Sequence, residues 1–362
     1  MTSPVRPSNQ LDVRVEGELP AILASLNCSL ALASYHAGMV LLASPDNGGV
    51  ALLARAFDKP MTLAAAPGRL VVATRNELVH FAASQALAPG LPRARDRYRQ
   101  LWLPRAVHYT GEIDLHDIAC TEGGVVGVAT RFSCLARLDT MASFTPVWQP
   151  PFISDMAPDD RCHLNGLATD AQGAPRFATM LGATDTAEGW RPGRVRGGVL
   201  MSVPDGRVVL DGLCMPHSPR LVDGELLLLN SGAGEVLRLR AGGAAPEVLA
   251  RLDGYARGLV VQGDLLFVGL SRLRDRHGAG RDPLPVEASG QALHCGVAVL
   301  DRRSGRVLGR LLLSGDVNEV ADIALLGGAG RHGLLSHTDP MHRDALALPD
   351  QGFWATRDPL AA

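Results

Sequence analysis

The sequence predicts an all-β fold, a β-propeller, on three observations. Short apolar runs bounded by Asn, Asp, Gly and Pro recur from Ser29 to Ser336, the mark of strands joined in hairpins. A polar or ionisable residue heads one unit after another: His116-Asp117, His163-Leu164-Asn165, His217-Ser218-Pro219-Arg220, Tyr255-Ala256-Arg257 and Asn318-Glu319. No segment sustains a 3.6-residue apolar period, so helix is scarce. Units of this size, each with a polar residue at the same place, read as blades set around a shared axis.

Taken in order, residues 1–18 are polar and proline-containing and read as a flexible lead or a closing strand. Residues 19–340 read as one propeller, and 341–362 as a tail. Hairpins begin at Leu30-Ala31-Leu32-Ala33, where Pro45-Asp46-Asn47-Gly48-Gly49 makes a turn between apolar runs. The plainest hairpin is Leu221-Val222-Asp223-Gly224-Glu225-Leu226, with Asp-Gly at the turn. Innermost strands starting near residues 29, 61, 117, 164, 220, 258 and 320 predict seven blades, or six if one unit is an insertion. The last unit, 323–326 and 333–336, lacks outer strands, which predicts closure by strands from both termini. Long polar or proline-rich segments at 84–114, 140–160, 181–196 and 272–294 are expected to form a rim over one mouth of the channel.

Composition narrows the function. The chain has 362 residues, 46% hydrophobic and 20% charged, enough for a sizeable core and too apolar for disorder. A net charge of −2 gives no basis for nucleic-acid binding or an electrostatic membrane contact. Lys59 is the sole lysine and stands in Phe57-Asp58-Lys59-Pro60, which excludes a Walker-type phosphate loop and leaves Schiff-base chemistry nowhere else to go. The six cysteines are scattered with no CxxC pair, and the N-terminus lacks a charged-then-apolar signal pattern. Reduced thiols in a cytoplasmic protein are expected.

In a propeller the N-terminal ends of the inner strands gather at one mouth. His116, His163, His217, Arg257 and Glu319 are therefore expected to converge, with Asp117, Asn165 and Arg220 one to three residues further in. Three neutral imidazoles and a carboxylate make a nest for a divalent transition metal, Zn, Fe, Cu or Mn. On this reading His116, His163 and His217 bind metal, and Glu319 or Asp117 is fourth ligand or general base. Asn165 donates a hydrogen bond, and Arg220 and Arg257 hold an acidic group of the substrate. His108 and Trp190, on loops, are candidate substrate contacts. The reaction expected is lyase or hydrolase chemistry on a small anionic molecule through metal-bound water, with iron or copper redox chemistry as the alternative. A histidine at a strand start also serves simply to bond the next blade. Two non-enzymatic readings therefore stand beside the enzyme: a scaffold propeller, disfavoured by an aromatic content of only 4%, and a metal-free ligand sensor. His80, His332, His337, His342 and His277 are expected in solvated positions, and Cys162 is expected to pack away from the axis.

The same residues carry a resemblance. The segments Tyr109-Thr110-Gly111, His116-Asp117-Ile118-Ala119, Asp160-Arg161-Cys162-His163-Leu164-Asn165-Gly166, Gly189-Trp190-Arg191, Met215-Pro216-His217-Ser218-Pro219-Arg220 and Arg257-Gly258-Leu259 resemble the DUF4915 family, a domain of unknown function, over residues 28 to 340. That resemblance implies a propeller and no particular reaction. More distantly the layout is similar to gluconolactonase and strictosidine-synthase-like propellers, and to the amidating-lyase propellers that use histidines. Histidines stand here where the first of these groups places acids around calcium, which implies a softer metal.

Overall fold

In the computed structural model, which describes residues 11–240, 245–272 and 283–355, the chain forms six mainly antiparallel blade sheets and a two-stranded sheet of Ala345–Ala347 with Gly352–Trp354. His277 lies outside the described residues. The second blade runs outward from Thr62–Ala66 through Arg69–Ala73 and Glu77–Ser84 to Gln100–Tyr109. The third begins at Leu115–Thr121, the fourth at Leu164–Thr169, the fifth at Pro216–Val222 and the sixth at Tyr255–Gln262. The first blade is drawn from distant parts of the sequence. Its innermost strand, Asp322–Gly327, pairs with Cys28–Ser34, which continues into Met39–Asp46 and Gly49–Ala56. The six inner strands contact one another in a ring, with Asp322–Gly327 between Tyr255–Gln262 and Thr62–Ala66.

There are six blades, not seven, and the reason is local. Residues near 29 and near 320 both read as innermost strands, because both are short and mostly apolar. They are neighbours in one sheet, with Leu30 opposite Leu325 and Leu32 opposite Ile323. A strand buried on both faces carries no alternation to tell its rank within a blade. His332–Leu334 is not a second strand of that unit; it runs parallel to Gln100–Tyr109 on the outside of the second blade. Leu11–Gly17 adds a fifth strand to the sixth blade against Val307–Gly315. A short helix, Leu19–Ser25, begins with Pro20 in its first turn and buries Leu19, Ile22 and Leu23. At seven residues it is too short for a periodic signal.

The core lies between blades. Leu30, Leu32, Leu41, Val297, Leu311 and Ile323 fill one interface, and Leu227, Leu229, Leu259, Leu266 and Val268 another. The six cysteines are unpaired, and five of them are buried. Near the axis the blades approach too closely for side chains everywhere. A Cβ on Gly166 would overlap Thr179 Oγ1 and Pro219 Cδ, in its own blade and the next. Gly166→Ala is therefore expected to cost about 1–3 kcal/mol by overpacking; urea unfolding checks this, and a midpoint equal to wild type would refute it.

Candidate functional site

The heads of the inner strands and the rim loops enclose a cavity of about 340 Å³ at one mouth of the propeller. His116, His163, His217, Arg257, Glu319 and Trp190 all line it. Three blades present a shared local device there. His116 and His217 occupy corresponding places, one residue after Leu115 and Pro216, which pair with Ala129 and Asn230 at the ends of the second strands. In each case Nδ1 donates toward the backbone carbonyl two residues back, 3.0 Å to Asp114 O and 2.9 Å to Met215 O. A hydroxyl completes the cradle, 2.8 Å from Thr130 Oγ1 and 3.1 Å from Ser231 Oγ, the opening residues of two 3₁₀ turns. Those carbonyls come within reach because Asp114 and Met215 sit at φ 58° and 51°. Nδ1 thus carries the proton and Nε2 the lone pair.

The fourth blade has the same geometry with a different occupant. Leu164 pairs with Met180, and the residue two before Asn165 is the left-handed one, His163 at φ 49°. Asn165, not His163, therefore stands where His116 and His217 stand. Its Oδ1 accepts from Thr179 Oγ1 at 2.8 Å, which leaves Nδ2 to donate to His217 Nε2 at 3.4 Å. Asn165 is fully buried and orients His217.

His163 is placed differently. Its Nδ1 lies 2.8 Å from Asp160 Oδ2, which also accepts from Trp190 Nε1 at 3.1 Å. The ring lies between Trp190, tilted at 40° with centroids 4.4 Å apart, and His116, edge-on at 75° with centroids 4.8 Å apart. Backbone conformation, carboxylate and aromatic partner together leave Nε2 as the nitrogen available to a ligand.

Charge around the cavity is set by burial. Burial pushes His116 down to about 3 although Asp114 pulls it up, and His217 is driven well below its ordinary value by burial and by Arg257. Both are neutral imidazoles at neutral pH. Arg257 is 8% exposed, with its guanidinium carbon 5.8 Å from the Tyr35 ring centroid. Burial raises the Tyr255 phenol, so it stays protonated. Glu319 Oε2 accepts from His36 N at 3.3 Å and Ser34 Oγ at 3.4 Å.

Other expected site residues lie elsewhere. Arg220 and Asp117 are paired with one another outside this cavity. Arg220 Nη1 donates to Asp117 Oδ2 at 2.9 Å, and Nη2 to Oδ1 at 3.3 Å. Arg220 also donates to the carbonyls of Leu259, Leu167 and Pro219, while Leu167 N donates to Asp117 Oδ2 at 3.0 Å. Both residues are spent on one another and on three inner strands; neither lines the cavity. His108 is on the fourth strand of the second blade, stacked on His80 at 4.7 Å and away from the mouth. His332 is buried instead of solvated, with Trp102 Nε1 3.2 Å from Nδ1. Cys162 is buried, and its thiol is pushed up to about 12. Among the described residues no group of three or more His, Cys, Asp or Glu side chains is placed to hold a metal ion.

The cavity also takes in Tyr35, His36, Tyr255, Arg194 and Arg272, which sequence reasoning did not assign to it. Tyr35-His36 forms the turn between the second and third strands of the first blade. A polar aromatic pair between two apolar strands was the available signal, obscured by ranking Cys28–Ser34 as innermost.

Residues 17–335 match the domain of unknown function DUF4915. The chain belongs to the DUF4915 family. No curated protein matches this DUF4915 chain. Among solved structures, a chain from the "Crystal structure of Nidogen/Laminin Complex" is similar at a TM-score of 0.52 and 10% identity, covering 83% of this chain and 99% of that one. At that identity the similarity concerns the fold alone. No helix among the described residues is long and apolar enough to cross a membrane.

Proposed function

We propose that the cavity binds a small organic anion and that His163 moves a proton on it. The observation that carries this reading is Arg257, a buried guanidinium lining a chamber beside neutral imidazoles and a protonated phenol, with Glu319 as the one carboxylate of the lining. A cation removed from water in this way is stabilised by an anion arriving with good hydrogen-bond geometry, and a carboxylate or phosphate matches the guanidinium fork. Tyr35, Tyr255, Met215 and Leu284 supply the apolar walls of an organic ligand.

His163 takes the catalytic part in this reading. In elimination Nε2 accepts a substrate C–H proton and a double bond forms as the bond to the leaving oxygen breaks, whereas in hydrolysis the proton comes from a water whose oxygen replaces that leaving group. In both the Asp160 carboxylate stabilises the imidazolium through Nδ1, and the imidazolium returns the proton to the leaving oxygen. That is acid–base chemistry of the lyase or hydrolase kind, and it calls on no metal. Calorimetric titration with small carboxylates and phosphate monoesters tests the binding. Arg257→Gln should weaken the best ligand about 10- to 100-fold, as expected for a lost charge-assisted hydrogen bond. An undiminished affinity in that variant would refute the reading.

A second reading keeps the metal. Metal-ligating histidines have their other ring nitrogen tied to a carbonyl or carboxylate, as Nδ1 is in His116, His163 and His217. Against it, His217 Nε2 already faces Asn165, and Arg257 sets a fixed cation beside the rings. Elemental analysis of untagged protein decides: one equivalent of Zn, Fe, Cu or Mn, lost in His163→Ala, favours this reading, and no metal after reconstitution rejects it.

A further inference from the structure

Beyond the chamber wall lies a second, wider cavity of about 580 Å³, and the two share His163 and Arg191. The Asp160–His163 pair is the partition between them. The outer basin differs in chemistry from the chamber. Its cations are matched by acids: Lys59 Nζ is 2.9 Å from Asp114 Oδ1, Arg191 Nη2 2.6 Å from Glu188 Oε1, and Arg131 Nη1 3.9 Å from Glu112 Oε2. Lys59, the only lysine of the chain, is held there at φ 51°.

A basin lined by ion pairs has little attraction for a free ion of either sign and none for an apolar group. Each pair nevertheless presents unused N–H donors beside unused carboxylate lone pairs. The group that satisfies both at once, without bringing charge, is a hydroxyl, which donates and accepts. Several at fixed spacing, as on a sugar ring, would bridge the pairs around the rim.

Building on the organic-anion reading of the chamber, we propose that the ligand is a sugar acid or acidic glycoside. Its anionic group meets Arg257 in the inner chamber, and its polyhydroxyl part lies in the outer basin. The junction between the two parts then falls beside His163 Nε2, at the boundary of the cavities. Trp190 holds that boundary, with His163 on its ring and Arg191 Cζ 4.6 Å from its centroid.

Calorimetry with two carboxylates of like size tests this: glucuronate and cyclohexanecarboxylate, the second lacking every hydroxyl. Glucuronate should bind at least about ten-fold more tightly, the worth of one or two net hydrogen bonds. Glu112→Ala/Arg131→Ala, two half-exposed side chains at the basin rim, should erase that difference and leave cyclohexanecarboxylate unchanged. Equal affinities in the wild type, or a difference that survives the double variant, would overturn the proposal. If neither carboxylate binds, the anion reading of the chamber fails on its own account, and methyl glucoside then decides the basin. Glycoside binding lost in the double variant upholds a polyhydroxyl site there, and glycoside binding that is absent or unaltered removes it.

Discussion

Arg220→Met is expected to be among the most destabilising single substitutions in this protein, by about 3–5 kcal/mol, because it strands buried carboxylates without a counter-charge. Asp117 is 4% exposed and Asp322 3% exposed. Asp322 accepts from Thr62 Oγ1 at 2.7 Å and from Leu63 N at 2.9 Å. Even with Arg220 present, burial and the Asp117 charge raise Asp322 to about 6. Removing the guanidinium leaves two interacting buried acids without it, along with the carbonyls of Leu167, Pro219 and Leu259 that it bonded. Asp117→Asn in the same chain removes one of those charges and should recover part of the loss. Urea unfolding of wild type and the two variants checks both statements; Arg220→Met within about 1 kcal/mol of wild type would refute the first. Since Arg220 does not line the cavity, the folded fraction of Arg220→Met should retain wild-type ligand affinity, which separates its role from that of Arg257.

Acidification should destabilise the fold well above the range in which carboxylates titrate. His116 and His217 are buried neutral, with folded values of about 3 and well below 6.5, against about 6.5 in an unfolded chain. Depressed folded values mean that the unfolded chain binds the extra protons. Their contribution is therefore complete above pH 6.5 and is lost as pH falls below it, for His116 down to about 3. Both groups act in the same sense inside that window, so stability should fall continuously as pH drops from 7 to 5. Asp322 works in the opposite sense. Its folded value is raised, so its contribution is complete below 3.8 and fades as pH rises to about 6. One carboxyl shifted over that shorter span offsets only part of the effect of two imidazoles. His116→Asn/His217→Asn copies the residue that the fourth blade carries at the same place, and it should flatten the stability profile between pH 7 and 5. A slope unchanged from wild type would sink this account.

Much of this was open to reading from residues alone. The apolar runs and their turns define strands, hairpins and blades, because pleat, turn chemistry and burial are local properties. The inner strands of the second to sixth blades start within a few residues of where the pattern puts them, and His116, His217, Arg257 and Glu319 do meet at one mouth. The match of His163 to the other two histidines failed for a physical reason. Each inner strand from the third to the sixth carries a register shift near its head, between Leu115 and Ile118, Leu164 and Gly166, His217 and Arg220, and Ala256 and Leu259. A bulge moves a side chain from one face to the other without altering the sequence spacing, so the matching place has to be found from the pairing: His163 falls two residues early, at the left-handed position that Asp114 and Met215 hold in the other blades.

The sequence by itself determined the blade unit, the absence of long helices and the set of polar residues that head the inner strands. Only the tertiary structure decided that Cys28–Ser34 and Asp322–Gly327 belong to one sheet, that Asn165 matches the histidines, and that Arg220 pairs with Asp117. It also decided that Tyr35 and His36 reach the cavity. These are all outcomes of which strand lies beside which and in what register. Pairing between segments nearly three hundred residues apart is fixed by the energy of the assembled sheets, where every buried N–H, carbonyl and charge must find its partner at once.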